Sequence, residues 1–216
     1  MTMVQKTTIK EQAYQIIKRK ILTQSYQLGE RINIGQLSRE LGISNSPIRE
    51  ALNLLEKEGL VVTTPNSGIN VITLSRQDFY ELAQMLFFWV AGAYRYVVEA
   101  DRTLTLSQEM AAVLEKQKQY QRERDTYQFT YYADMFDRCI LVATGNQRLI
   151  AQFDAVFPLF FLSSLYDYAE RDHDWQIGVD QHERILSAIQ AGRHHEVIAT
   201  LEEHYYKPVW DLRRES

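Results

Sequence analysis

Apolar positions near the start of the chain recur at helical spacing. Ile9, Ala13, Ile16, Ile17 and Ile21 share one face, while Lys6, Lys10, Lys18, Arg19 and Lys20 line the others, which predicts a helix from about Thr8 to Leu22. In the stretch Leu37 to Leu52, LSRELGISNSPIREAL, Leu37 and Leu41 stand one turn apart. Gly42 follows where a turn needs a residue tolerant of positive φ, so the turn is placed at Gly42-Ile43. Ser44 or Ser46 can cap the next helix, and Pro47 is tolerated in a first turn whose amides lack intrahelical partners. Ile48, Leu52 and Leu55 form its buried stripe, leaving Asn45, Ser46, Arg49 and Asn53 outside. Beyond Gly59 the period shortens. Two β-branched runs, Val61 to Thr64 and Ile69 to Ile72, are joined by Pro65-Asn66-Ser67-Gly68, the signature of a hairpin.

No β pattern returns after that. Ser75-Arg76-Gln77-Asp78 has capping-box spacing and predicts a helix to about Ala100. Further helices are expected near 105 to 124, 126 to 143, 147 to 166, 172 to 191 and 194 to 213, with kinks at Pro158 and Pro208. The acidic cluster Asp167, Glu170, Asp172 and Asp174 reads as a solvated loop and helix start. The expected fold is mainly α: residues 1–74 form a helix-turn-helix with a small β wing, and residues 75–216 an all-α bundle.

Charge divides along the same line. Residues 1 to 75 carry nine Lys/Arg against six Asp/Glu, whereas the remainder carries fifteen against twenty-two. A mildly basic head on an acidic body fits a nucleic-acid-binding module joined to one that does not touch DNA. Cys139 is the only cysteine, which excludes an intrachain disulfide and any multi-cysteine zinc site. Met1 to Gln5 has no signal-peptide core, and Met85 to Tyr94, read as the longest apolar stretch, is too short to cross a bilayer. The expectation is a cytoplasmic protein with no membrane partner.

A helix-turn-helix followed by a wing puts its second helix into the DNA major groove, with Asn45, Ser46, Arg49 and Asn53 towards the bases and Asn66, Ser67 and Gly68 towards the backbone or minor groove. The ordered landmarks make the match specific. Leu28-Gly29-Glu30-Arg31, Leu41-Gly42-Ile43-Ser44, Ser46-Pro47-Ile48-Arg49-Glu50-Ala51-Leu52, Glu58-Gly59-Leu60-Val61 and Pro65-Asn66-Ser67-Gly68 resemble the DNA-binding domain of the GntR family of bacterial transcription regulators. Family members commonly carry an arginine where this chain has Gly35 and another where it has Asn45. The resemblance therefore implies a different operator preference.

In the second half, Asp137, His182 and His204 sit on three predicted helices among apolar neighbours. Two imidazoles and a carboxylate can form the ligand set of a divalent metal with positions left open. Phe136-Asp137, Gly145-Asn146 with Leu149, and His182-Glu183-Arg184-Ile185-Leu186 followed by His204 resemble the FCD subclass of GntR regulators. That resemblance implies a helical effector domain in which an Asp, a His one turn later and two C-terminal His hold a metal beneath a small carboxylate. Ala133 stands in place of that Asp and Asp137 in place of that first His. Two readings stay open: a three-ligand site for Zn, Mn or Ni, with Asp134 a weaker ligand, or an organic effector held directly by the histidines.

Leu86 and Val90 occupy the positions of the family's effector-binding Arg and Glu. This implies a less acidic or more apolar effector, or one held by another cation such as Arg95 or Arg138. Aromatic residues on two helices, Phe87, Phe88, Trp89, Tyr94 and Tyr96, then Phe153, Phe157, Phe160 and Phe161, suit core or dimer interface better than a ligand cavity. The expected function is a homodimeric, effector-controlled transcription regulator, a repressor more often than an activator, bound to an inverted-repeat operator. It is not expected to be an enzyme. Two alternatives are a metal-dependent hydrolase and a winged helix that binds protein.

Overall fold

The computed structural model describes residues 8–65, 67–170 and 175–214, with side chains at all of these except 167, 169, 170 and 207–214. Asn66, Asp172 and Asp174, and the side chains of Asp167, Glu170 and Pro208, lie outside the described residues. The chain divides into two compact units, Met1–Thr73 and Leu74–Ser216.

In the first unit α1 (Ile9–Leu22) starts at a capping box in which Thr8 Oγ1 accepts from the Glu11 amide and the Glu11 carboxylate accepts from the Thr8 amide. Helix α2 (Ile34–Leu41) is capped by Asn33 and ends at Gly42, whose φ of 64° lets the chain reverse in the expected turn. Ser38 Oγ donates to the Ile43 carbonyl at 2.6 Å and ties α2 to the start of α3 (Asn45–Lys57). Ser44 holds the N-cap position without a side-chain cap bond, and Ser46 lies inside the helix. Ile48, Ala51, Leu52 and Leu55 are buried, completing the apolar stripe that presses α3 against α1 through Ala13, Ile17 and Ile21. The face of α1 is narrower than its spacing suggests: Ile9 is 56% exposed and Ile16 39%. Its cations are partly committed, Lys18 to Glu58 at 2.9 Å and Lys20 to Glu40.

Strands β1 (Val61–Thr64) and β2 (Gly68–Val71) pair antiparallel in the register Val61 with Val71 and Thr64 with Gly68. The second strand begins and ends one residue earlier than the β-branched run suggests, because Gly68 closes the ladder opposite Thr64. Along the outer edge of β2, the Ile32 amide donates to the Ile69 carbonyl at 2.8 Å and the Val71 amide to the Glu30 carbonyl at 2.9 Å. The segment before α2 thus braces the wing, which no local pattern announced. Gly68 has φ +86°, and a Cβ there would sit 3.3 Å from Arg31 Nε. Gly68→Ala is accordingly expected to destabilise the first unit by about 1–2 kcal/mol. Urea unfolding of the variant against wild type measures it, and an unchanged midpoint would refute this account of the wing.

Among the described residues the regular elements of the second unit are helices: α4 (Arg76–Glu99), α5 (Thr103–Glu123), α6 (Thr126–Ala143), α7 (Gln147–Glu170), α8 (Trp175–Gln190) and α9 (His194–Arg214). Ser75 and Asp78 form the expected capping box. Helix α7 continues through Pro158. The core joins Leu86, Val90, Tyr94 and Val97 of α4 to Leu106, Met110 and Leu114 of α5, Phe136 and Ile140 of α6, Ile185 and Ile189 of α8, and Leu201 and Tyr205 of α9. Phe153 and Phe161 are buried as core, whereas Phe88 is 60% exposed and Tyr96 49%.

Among the described residues one stretch, Gln147–Tyr166 of α7, is long and apolar enough to cross a membrane, and it exceeds Met85 to Tyr94. Part of its surface is nonetheless core, through Phe153, Phe161, Leu162 and Leu165, and Asp154 in its second turn pairs with Arg138 at 2.8 Å. A core helix meets the same length criterion.

Candidate functional site

The first unit presents its polar residues together. Because Ile48, Ala51, Leu52 and Leu55 face inward, helical geometry turns Asn45, Ser46, Arg49 and Asn53 outward, and all four are exposed. Arg49 stands in the second turn of α3, where a guanidinium can fork onto a guanine edge. Ser67 is exposed at the wing tip beside half-buried Gly68. Arg31, exposed and lying against Gly68, adds a cation to the wing. Sequence reasoning named Arg31 as a landmark and missed this placement, because the wing contact is made across the fold.

In the second unit α6, α8 and α9 bring Asp137, His182 and His204 together. One ligand atom from each lies within 4.8 Å of the others. Asp137 reaches this point because the core face of α6 runs through Phe129, Ala133, Phe136 and Ile140, and position 137 falls on the same stripe. Asp137 is 2% exposed and His182 0%. The His182 ring stacks on Phe136 with centroids 4.2 Å apart.

Each imidazole is oriented through Nδ1. His182 Nδ1 lies 2.7 Å from Gln117 Oε1 of α5, and His204 Nδ1 lies 2.8 Å from Gln181 Oε1 of α8. With an amide oxygen opposite, Nδ1 donates and the lone pair is left on Nε2. Asp137 Oδ2 accepts from the Tyr205 hydroxyl at 2.6 Å, and His204 Nε2 stands 3.7 Å from it. Asp137 Oδ1 and His182 Nε2 are buried with no hydrogen-bond partner. Buried polar atoms are ordinarily satisfied, so two orphaned atoms on residues of one cluster point to a ligand there.

Electrostatics follow from burial. Desolvation pushes the Asp137 carboxyl up, opposed by His204 and by the Tyr205 hydroxyl. Desolvation, then the charge of Asp137, lifts Asp134 well above the usual carboxylate range. His182 is held well below the ordinary histidine value, first by burial and then by His204. It is therefore neutral at pH 7, the form that ligates metal. Cys139 donates to the Met135 carbonyl at 3.3 Å, and burial pushes its thiol up to about 12, so it is no thiolate ligand. Two imidazoles with outward-anchored Nδ1 atoms, plus a carboxylate, are a donor set that fits a divalent cation such as Zn, Mn or Ni with positions left over.

Among the described residues, the other expected site residues form no hydrogen bond or ion pair with these three. Arg138 follows Asp137 in the chain but turns away, its Nε and one terminal nitrogen bonded to Asp154 at 2.8 and 3.0 Å. Arg95 is exposed on α4. Leu86 and Val90 are buried in the apolar core. Gln117, Gln181 and Tyr205 hydrogen-bond to the three candidate residues, contacts that the sequence did not disclose. Gln181 has one signal, its place beside His182, whereas Gln117 sits in the polar run EKQKQYQRE with nothing to mark it as 0% exposed.

Comparison with known proteins agrees with both halves. Residues 9–71 match the bacterial regulatory proteins of the gntR family, and residues 92–207 match the FCD domain. The HTH-type transcriptional regulator YdhC of Bacillus subtilis (strain 168) is 28% identical over 186 residues, spanning 83% of this chain and 80% of that protein. The gluconate operon transcriptional repressor of Bacillus licheniformis is 22% identical over 81% of this chain and 72% of its own length. The solved structure of E. coli McbR/YncC superposes with a TM-score of 0.74 at 19% identity, covering 97% of this chain and 99% of that one, a likeness of fold. The family offers no support for a hydrolase or for a winged helix devoted to protein binding. With its winged helix-turn-helix matching one model and its helical unit the other, the chain belongs to the FCD-containing GntR family: it is a DNA-binding transcription regulator and not an enzyme.

Proposed function

We propose that this regulator is a cytosolic homodimeric repressor whose grip on an inverted-repeat operator is set by a small-molecule effector, bound over a divalent cation at Asp137, His182 and His204. Residues 1–74 read the DNA, and residues 75–216 hold the effector site and the dimer contact. The observation that carries the metal is the pair of orphaned, buried ligand atoms, Asp137 Oδ1 and His182 Nε2, beside histidines whose Nδ1 atoms are already anchored. The name of the B. licheniformis relative supports the sign of regulation. An apolar face on α4 supports the dimer: Phe88 and Tyr96 are exposed on successive turns either side of Gly92, where a Cβ would meet open space. A two-fold dimer places two recognition helices on inverted half-sites. The effector would act by preferring one arrangement of the two heads.

Native mass spectrometry of gently purified full-length protein, with elemental analysis for Zn, Mn, Ni and Fe, tests this reading. The expected result is a dimer carrying near-stoichiometric metal. A metal-free dimer with a retained organic mass would replace the cation by an effector held directly by the histidines, and a monomer would remove the inverted repeat.

A further inference from the structure

Asp134 lies one turn before Asp137 on the buried face of α6 and is 5% exposed. Its Oδ1 accepts from Ser164 Oγ of α7 at 3.3 Å, and its Oδ2 is buried with no partner. The α6 helix therefore carries two buried carboxylates, each with one orphaned oxygen. Among the described residues, the buried polar side chains include no Lys or Arg to balance them. The cation next to Asp137 in the chain, Arg138, is committed to Asp154 outside the cluster. Burying a carboxylate without a counter-charge is costly, and here it drives Asp134 towards its protonated form until a cation is present; an apolar or amide side chain at position 134 would avoid the cost altogether. Ala133 is the buried neighbour that shows an apolar side chain is accommodated on this face. Asp134 lies outside the set of ligand atoms that converge within 4.8 Å, so it is not a fourth direct ligand in this arrangement.

We infer that Asp134 is the charge-balancing second carboxylate of the cation site: with Asp137 it neutralises a divalent ion held at Asp137, His182 and His204, and its free Oδ2 accepts a hydrogen bond from whatever completes the ion's coordination. This role rests on the metal reading of the triad given above. An imidazole carries no negative charge, and Asp134 and Asp137 are the acidic side chains among the described buried polar residues, so the two aspartates supply the negative charge. Charge balance acts at a distance where coordination does not, so Asp134 need not be a direct ligand to fill this role.

The test is Mn2+ and Zn2+ binding to the metal-stripped full chain, by calorimetry and, for Mn2+, by loss of the free-ion electron paramagnetic resonance signal. Asp134→Asn keeps the shape, and its amide oxygen can still accept from Ser164, so the variant is expected to fold. It should bind both ions about 10- to 100-fold more weakly than wild type. In the metal-free state it should unfold at the same or a higher urea concentration than wild type, because an unbalanced buried acid has been removed. A purely structural Asp134 gives the opposite pair: lower metal-free stability and unchanged ion affinity. Wild type binding an ion and Asp134→Asn binding it equally well overturns this inference alone. Wild type taking up neither ion overturns the metal reading of the triad and this inference with it.

Discussion

Replacing His182 and His204 together by alanine is expected to abolish metal binding while leaving DNA binding by the winged helix intact. The geometry makes the loss complete, since Asp137 would be the one remaining member of a three-residue cluster. A ligand that binds only the folded state stabilises it by RT ln(1 + [L]/Kd), about 2.7 kcal/mol at a hundredfold excess over Kd. Wild type should gain about that much on adding saturating metal, and the double variant nothing, as read from urea unfolding with and without the ion. Removing the His182 ring also opens a hole against Phe136, a packing loss that lowers stability whether or not metal is present. His204→Ala separates the effects. Its side chain is 18% exposed and contributes less to packing, so metal affinity should collapse with little change in the metal-free midpoint. A double variant that still gains stability from metal would place the ion elsewhere.

Arg49→Ala is expected to weaken operator binding by about 1–3 kcal/mol, roughly 5- to 150-fold, with the fold unchanged. Arg49 is exposed and its neighbours Ile48, Ala51 and Leu52 do the packing, so nothing in the core depends on it. Arg49→Lys tells the kind of contact. Lysine keeps a phosphate attraction but cannot reproduce the planar fork onto guanine. If Arg49 reads a base, lysine is nearly as poor as alanine and discrimination between operators relaxes. If it touches only phosphate, lysine rescues most of the affinity, and alanine flattens the salt dependence by about one charge. Fluorescence anisotropy at two salt concentrations decides, and unchanged affinity in the alanine variant removes Arg49 from the reading surface.

Both experiments depend on features of different legibility. The turn at Gly42, the stripe Ile48, Leu52, Leu55 and the outward set Asn45, Ser46, Arg49, Asn53 follow from local rules. A 3.6-residue period assigns each position to a face, and Gly42 takes the left-handed conformation its place requires. The capping boxes at Thr8 and Ser75 are equally local. The same period placed Asp137 on the buried face of α6, and the apolar residues after His182 did so for α8. Their convergence within 4.8 Å was expected through the family's pattern and not from spacing, since the three residues are separated by 45 and 22 positions in the chain.

Local pattern misled where a side chain's fate depends on a distant element. Ile16 has the right spacing to be core, yet α1 buries a narrower stripe and leaves it half out. Arg138 stands beside a site residue, but a helix turns successive side chains about 100° apart, and Asp154 takes the guanidinium.

The sequence by itself determined the order of elements, the second helix of the helix-turn-helix with its outward polar face, the wing, and the inward faces that carry Asp137 and His182, because periodicity, capping and turn chemistry act within a few residues. Only the tertiary structure decided which buried atoms lack partners. Gln117 became the anchor of His182 because α5 packs beside α8, and Asp134 kept a free oxygen because Ser164 reaches only one of its two. Hydrogen-bond satisfaction is a property of the assembled core, where water is excluded and each polar group finds its partner on another element or not at all.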